Sequence, residues 1–300
     1  MKPIRKILFP TKFEDLSFGC VERLYPLRGV GLEEIVFLFV IDREEVGFDL
    51  FRGFDKKLAN QMREEARLHF EDWEKELAKQ GIGARHRVEI GSPEGKILEV
   101  SCDEQVDLII TGRQRHVPAD AIYLGGTSMG VIRRSAIPVL VCKHPPAEAA
   151  CEVPGASAYD RVLFATDFSE TAAHAAGFVK RLAGAAKRAD VVHVIAERDL
   201  RRHTEEETRS EEAECRRELG AICDELSAAG LEAESHLLAG SIAHEILQAA
   251  ADRHSTMIVM GTRGKHGVKE LVVGSASHRV AEAASIPVLL VPEERAECYI

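Results

Sequence analysis

Apolar positions along this chain cluster into short runs separated by longer stretches of helical periodicity. In the second half the runs fall at 161–166, 191–196, 234–239, 256–261 and 286–291. They are read as nearly all apolar and lacking strict alternation, the pattern of strands buried on both faces. Between them, Ala172, Ala176, Val179, Leu182 and Ala186 mark one helix face. Cys215, Leu219, Ile222, Leu226 and Ala229 mark a second, and Ile242, Ile246 and Ala249 a third. Strand and helix in alternation predict right-handed crossovers and a parallel sheet covered on both sides.

The pattern occurs twice. Ile7–Thr11 (ILFPT) returns as Val162–Thr166 (VLFAT), 155 residues later, and Ile137–Val141 (IPVLV) as Ile286–Leu290 (IPVLL), 149 residues later. The second offset holds without a gap from Gly81 to Cys142, with about a quarter of positions identical. So long a period is a duplicated domain, not a solenoid unit. Shifted back by 149, the second helix stripe becomes Ala66, Phe70, Trp73 and Leu77, again apolar. The expected architecture is α/β: two tandem doubly wound domains, each a five-stranded parallel sheet with helices on both faces. Boundaries are placed at 1–144, a Pro/Gly/Ala-rich linker at 145–158, 159–293, and a tail at 294–300. Ile137–Val141 and Ile286–Leu290 end their domains as apolar strands that would leave bare edges, so the two copies are expected to pair there as an intramolecular pseudo-dimer. A homodimer of whole chains is a further expectation.

Composition narrows the function. The 39 basic and 49 acidic residues of the 300-residue chain give a net charge of −10, with 22 − 24 = −2 in residues 1–150 and 17 − 25 = −8 in 151–300. An acidic chain without a basic block is a poor nucleic-acid binder. No apolar run approaches a membrane span, and the N-terminus lacks the features of a secretory signal. Seven scattered cysteines without a C-x-x-C read as reduced thiols in a cytoplasmic protein. The twelve histidines form no i, i+4 ligand pair, so no metal site is expected.

In such a sheet a ligand belongs at the carboxyl ends of the strands. There the second copy places Ala165, Thr166 and Asp167, then Val194, then Met260, Gly261, Arg263 and Gly264, and finally Gly274, Ser275, Ala276 and Ser277 opening the last helix. Small residues let backbone N–H groups approach an anion, and a helix start adds partial positive charge. The spacing matches neither the P-loop nor the dinucleotide fingerprint. It does match G-x2-G-x9-G-[ST], complete as Gly261, Gly264, Gly274 and Ser275. By this motif and the tandem copies, the chain resembles the universal stress protein family over nearly its whole length.

The resemblance implies an adenine nucleotide, ATP or AMP, in the second copy, and leaves open an accompanying magnesium ion. Asp167 and the backbone at Val194 would address the adenosine. Gly261, Arg263 and Gly264 would lie near the ribose and phosphates, and Gly274 to Ser277 would hold the phosphate chain. The first copy departs at three matching places: Lys12 for Asp167, Arg115 for Gly264 and Gly126 for Ser275. It is expected to be silent toward ATP, in part because Gly264 is expected to need a left-handed or crowded backbone.

Simpler roles compete. Asp167 and the serines at 275 and 277 suit helix caps, Cys215, Cys223 and Trp73 suit the core, and His193 suits packing within a strand. The Glu205–Glu207 run with its neighbouring arginines suits a solvated helix face. Related enzymes of this fold carry H-x-G-H or S-G-G-x-D-S signatures, absent here. No general base accompanies the glycines, although Lys265 and His266 offer charge to a phosphate. A stress-response regulatory protein with little or no turnover is the favoured reading. A slow ATP-hydrolysing or nucleotide-transferring enzyme is the alternative, and a scaffold with two vestigial sites the third.

Overall fold

The computed structural model describes residues 3–13, 18–47, 54–112, 124–142, 157–264 and 273–293. The first repeat runs β1 (Lys6–Pro10), α1 (Phe18–Glu22), a 3-10 turn (Tyr25–Val30), β2 (Glu34–Ile41), α2 (Lys56–Lys79), β3 (Gly83–Ile90), α3 (Pro93–Asp103), β4 (Leu108–Thr111), α4 (Gly126–Arg134) and β5 (Val139–Val141). The second runs β6 (Arg161–Ala165), α5 (Glu170–Arg181), β7 (Arg188–Ala196), α6 (Glu197–Leu200), α7 (Glu205–Ala228), β8 (Glu232–Gly240), α8 (Ile242–Asp252), β9 (Met257–Gly261), α9 (Ser275–Ala283) and β10 (Val288–Val291).

The strands form one ten-stranded sheet in the order β3-β2-β1-β4-β5-β10-β9-β6-β7-β8. Among the described residues every pairing within a repeat is parallel, and the single antiparallel pairing, β5 with β10, joins the repeats at the strands expected to meet. Phe9, Phe37, Phe164 and Val259 look to one face of the sheet, Leu8, Val36, Leu163 and Ile258 to the other, and all are fully buried. Two-sided burial is why these strands read as continuous apolar runs.

One strand departs from that reading. Segment 234–239 (ESHLLA) lies in β8, an outer strand whose residues are half-buried or exposed, and it carries Glu234, Ser235 and His236. A strand paired on one side only has no need of two apolar faces, and polar side chains protect its free edge. The helix stripes hold in α5 and α7, except that Leu182, Ala186 and Ala229 lie past the ends of these helices, Leu182 and Ala186 still buried and Ala229 exposed. Trp73 is half-buried, edge-on to Phe9 and Phe37. Helix α7 starts at a capping box, Thr204 with Glu207, which fixes its acidic first turn beside the positive end of the helix.

No helix among the described residues is long and apolar enough to cross a membrane. Cys20, Cys102, Cys142, Cys215 and Cys223 form no disulfide, and Cys215 is buried in the core. Most of the linker at 145–158 and the tail at 294–300 lie outside the described residues, as do Cys151 and Cys298.

Candidate functional site

Strand order reverses direction between β9 and β6 in the second repeat, so their connections leave on opposite faces and open a crevice at their carboxyl ends. Ala165 and Met260 are register partners at that point, both buried. The chain leaving β6 turns sharply. Buried Thr166 accepts the Phe168 N–H on its hydroxyl at 3.0 Å, while its carbonyl lies 2.8 Å from His193 Nδ1. Phe168 sits at φ 58°, in the left-handed region, with its ring 4.5 Å from that of His193. His193 is therefore a packed strand histidine that braces the turn. The turn sets Asp167, whose Oδ1 accepts the Ser169 N–H at 3.1 Å, and Ser169 in turn caps α5. The capping role expected for Asp167 is thus real but indirect.

Asp167 meets the glycine turn across the switch point. A Cβ built on Gly264 would lie 2.5 Å from Asp167 Oδ2, and one built on Gly261 would lie 2.8 Å from Thr171 Oγ1. Gly261 is held to glycine by the close approach of α5, whereas Gly264 meets only the tip of the Asp167 side chain; neither has a positive φ, so of the left-handed or crowded backbone expected at Gly264 the crowding is what is found. Thr171 donates its hydroxyl to the Arg263 carbonyl. The Arg263 guanidinium lies 3.4 Å from Glu293.

Gly274 is the N-cap of α9, with its N–H on the Thr262 carbonyl at 2.8 Å and no side chain capping the helix. The serines therefore do not cap. Ser275 is exposed in the first turn, whereas Ser277 is buried and donates its hydroxyl to the Gly261 carbonyl at 2.8 Å. That bond pins the helix start to the end of β9. The first turn of α9 carries no acidic residue, so its N–H groups and positive end are unopposed toward an anion. Ala276 stands between the serines, half-buried, and Val194 is buried in β7. Lys265 and His266 lie outside the described residues.

The sequence profile described as the universal stress protein family matches residues 3–143 and 158–292. This chain belongs to that family. Universal stress protein MJ0577 of Methanocaldococcus jannaschii is 31% identical over 154 residues, 47% of this chain and 95% of that one. A universal stress protein from Archaeoglobus fulgidus superposes with a TM-score of 0.73 at 27% identity, covering 96% of this chain and 98% of its own. PA1789 of Pseudomonas aeruginosa shares the fold at 18% identity and a TM-score of 0.64, covering 97% and 93%.

The two universal stress protein repeats share their scaffold and differ in their side chains. In the first, Thr11 accepts the Phe13 N–H at 2.8 Å, Phe13 is again left-handed at φ 69°, and Ser128 again ties its helix start to a glycine carbonyl, Gly112, at 2.9 Å. Lys12, however, pairs with Glu45, and a Cβ on Gly126 would meet nothing within 4 Å. Arg113 and Arg115 lie outside the described residues.

One polar cluster has no precursor in the motif reading. Asp190 of β7, fully buried, takes both its oxygens to Arg188, at 3.2 and 3.0 Å, and one of them to His236 at 2.9 Å. Burial pushes its pKa up, but the bonds from Arg188 and His236 outweigh burial and hold it below the ordinary value. Ligand-type atoms of Asp190, Glu234 and His236 lie within 4.8 Å of one another. Because guanidinium already occupies the carboxylate, the group acts as an ion-pair network fastening β7 to β8. The residues come from neighbouring strands, so a search for pairs on one helix could not find them.

Proposed function

We propose that the second repeat binds an adenine nucleotide, ATP or AMP, as a regulatory ligand of a stress-response protein. The observation that carries this reading is the approach of Asp167 to Gly264 at the switch point, beside an uncapped helix start with no acidic residue in its first turn. A carboxylate acceptor and a bare anion-binding helix end then flank one crevice, suited to the two ends of a nucleotide. Asp167 and the Val194 backbone would take the adenosine, and the Gly261–Gly264 turn with Gly274–Ser277 the phosphates. The crevice brings glycines, hydroxyls and backbone donors together, which position a phosphate without activating a water. Magnesium would accompany ATP through the phosphates.

Calorimetric titration of the full chain with ATP and with AMP tests this reading. The expected result is saturable binding of at least one of them, lost in Gly264→Arg and weakened in Asp167→Ala. Absence of saturable heat with both, or binding indifferent to both substitutions, would overturn it. Hydrolysis under saturating ATP and magnesium is expected to stay below the usual enzyme range of roughly 1–1000 per second.

A further inference from the structure

The first repeat keeps a cleft of about 280 Å³ at the carboxyl ends of its strands. Leu38, Val40 and Ile97 wall it, and Ile110 and Thr111, at the end of β4, also line it. Ile109, two residues earlier on β4, packs in the same layer as Leu38, Val40 and Ile97. Strand alternation therefore aims the Thr111 side chain at the cleft. Thr111 is only 4% exposed, and its hydroxyl, closed to solvent, has no hydrogen-bond partner among the described residues. A buried hydroxyl left unpaired is costly and uncommon. The matching position in the second repeat is Met260, so the first repeat has placed a polar group where its sibling has none.

The mouth of the cleft carries both charges, Lys12 and the Asp42 carboxylate, the latter an acceptor for a ligand hydroxyl. Lys12 stands there for Asp167, and its ion pair with Glu45 is about 40% exposed on both sides. Such a pair is worth little and exchanges readily for a ligand anion. Gly125 and Thr127 line the same cleft. The α4 start between them has no side-chain cap and no acidic residue in its first turn. Three successive N–H groups and an ammonium suit a tetrahedral oxyanion with several acceptors better than a planar carboxylate.

We infer that the first repeat is a separate binding site for a small phosphorylated organic molecule, held by Lys12 and the Gly125–Ser128 helix start, with a hydroxyl of its body on Thr111, whose side chain turns about Cα–Cβ to meet it. It does not depend on nucleotide binding by the second repeat.

Methyl NMR of the full chain labelled at threonine tests it, because Thr111 and Thr127 both line the cleft and report separately from the second repeat. The probes are ribose 5-phosphate, free ribose, succinate and ATP. Ribose 5-phosphate is expected to shift both methyls saturably below about 10 mM, the range of a millimolar or tighter site. Followed at Thr127, Thr111→Val should weaken it about three- to tenfold and Lys12→Gln about fivefold or more. Thr111→Val should not lower the melting temperature of the unliganded protein, since it removes an unpaired polar group at nearly constant volume. Four outcomes would overturn the inference: no shift with ribose 5-phosphate, equal shifts with free ribose or succinate, indifference to both substitutions, or ATP binding as tight as at the second repeat.

Discussion

Gly261 and Gly264 occupy one turn but answer to different neighbours, and substitution separates them. A Cβ at Gly261 would lie 2.8 and 3.0 Å from the Thr171 side chain and 3.1 Å from its backbone carbon. That helix cannot retreat, so Gly261→Ala should cost about 1–3 kcal/mol of stability in urea denaturation. At Gly264 the obstacle is the tip of Asp167, which can swing away. Gly264→Ala should change stability by less than about 0.5 kcal/mol yet weaken ATP measurably in calorimetry. Unchanged affinity would remove Asp167 from the site. Asp190 gives a test of opposite kind. Its folded pKa lies below the ordinary 3.8, so the unfolded carboxyl takes its proton first. Its contribution is complete above about pH 4 and drains away as pH falls toward the lowered folded value. Asp190→Asn should cost about 1–3 kcal/mol at pH 7 and flatten the acid limb of the stability profile. An unchanged acid limb would show that the Arg188 and His236 bonds are not formed in solution. Spacing singled out the three glycines and Ser275, and the resemblance to the family singled out Asp167 and Ser277. The sequence hid the left-handed Phe168 and the unpaired Thr111 hydroxyl, because neither a backbone dihedral nor a missing partner leaves a periodic trace.

At the scale of elements, the helix stripes and central strands were legible because burial on a fixed face imposes a period. The outer strand β8 was misjudged because half-burial permits Glu234, Ser235 and His236 among apolar residues. The start of α9 shows how far local rules reach. A serine near a helix start suggests a cap, yet Gly274 holds that position and the two serines divide other work. Ser277→Ala would leave the Gly261 carbonyl without a bond that ties helix to strand. It should lower stability by about 1 kcal/mol and loosen the start of α9. Ser275→Ala removes an exposed hydroxyl and should leave the unliganded melting temperature unchanged while reducing the shift produced by ATP. Thermal melts with and without ATP distinguish the two. Equal behaviour of both variants would refute this division.

The whole molecule is organised about the seam between β5 and β10, whose register has an internal symmetry. Leu140 pairs with Leu289, its own equivalent 149 residues on, while Val139 faces Leu290 and Val141 faces Val288, so each flanking residue meets the equivalent of the other. An antiparallel pairing of this kind is the contact two identical copies would make across a two-fold axis. The turns at Gly29 and Gly184, equivalent positions of the repeats, also meet: a Cβ on Gly29 would lie 3.8 Å from the Gly184 carbonyl oxygen. Leu140, Leu289, Phe9 and Phe164 all belong to one continuous buried layer spanning the seam. The covalent link is thus not what makes the two halves fit, and a single repeat should satisfy the same contact with a second copy of itself. Residues 157–293 expressed alone would otherwise expose Val288–Val291 as an apolar edge. They should form a dimer in sedimentation equilibrium, and Leu289→Lys, which places a charge at the symmetry point, should dissociate it. In the intact chain the same substitution should destabilise the fold without creating separate lobes in small-angle scattering, because the linked partner stays at high effective concentration. A 157–293 fragment that is folded but monomeric would show that the seam depends on the differences between the repeats rather than on what they share.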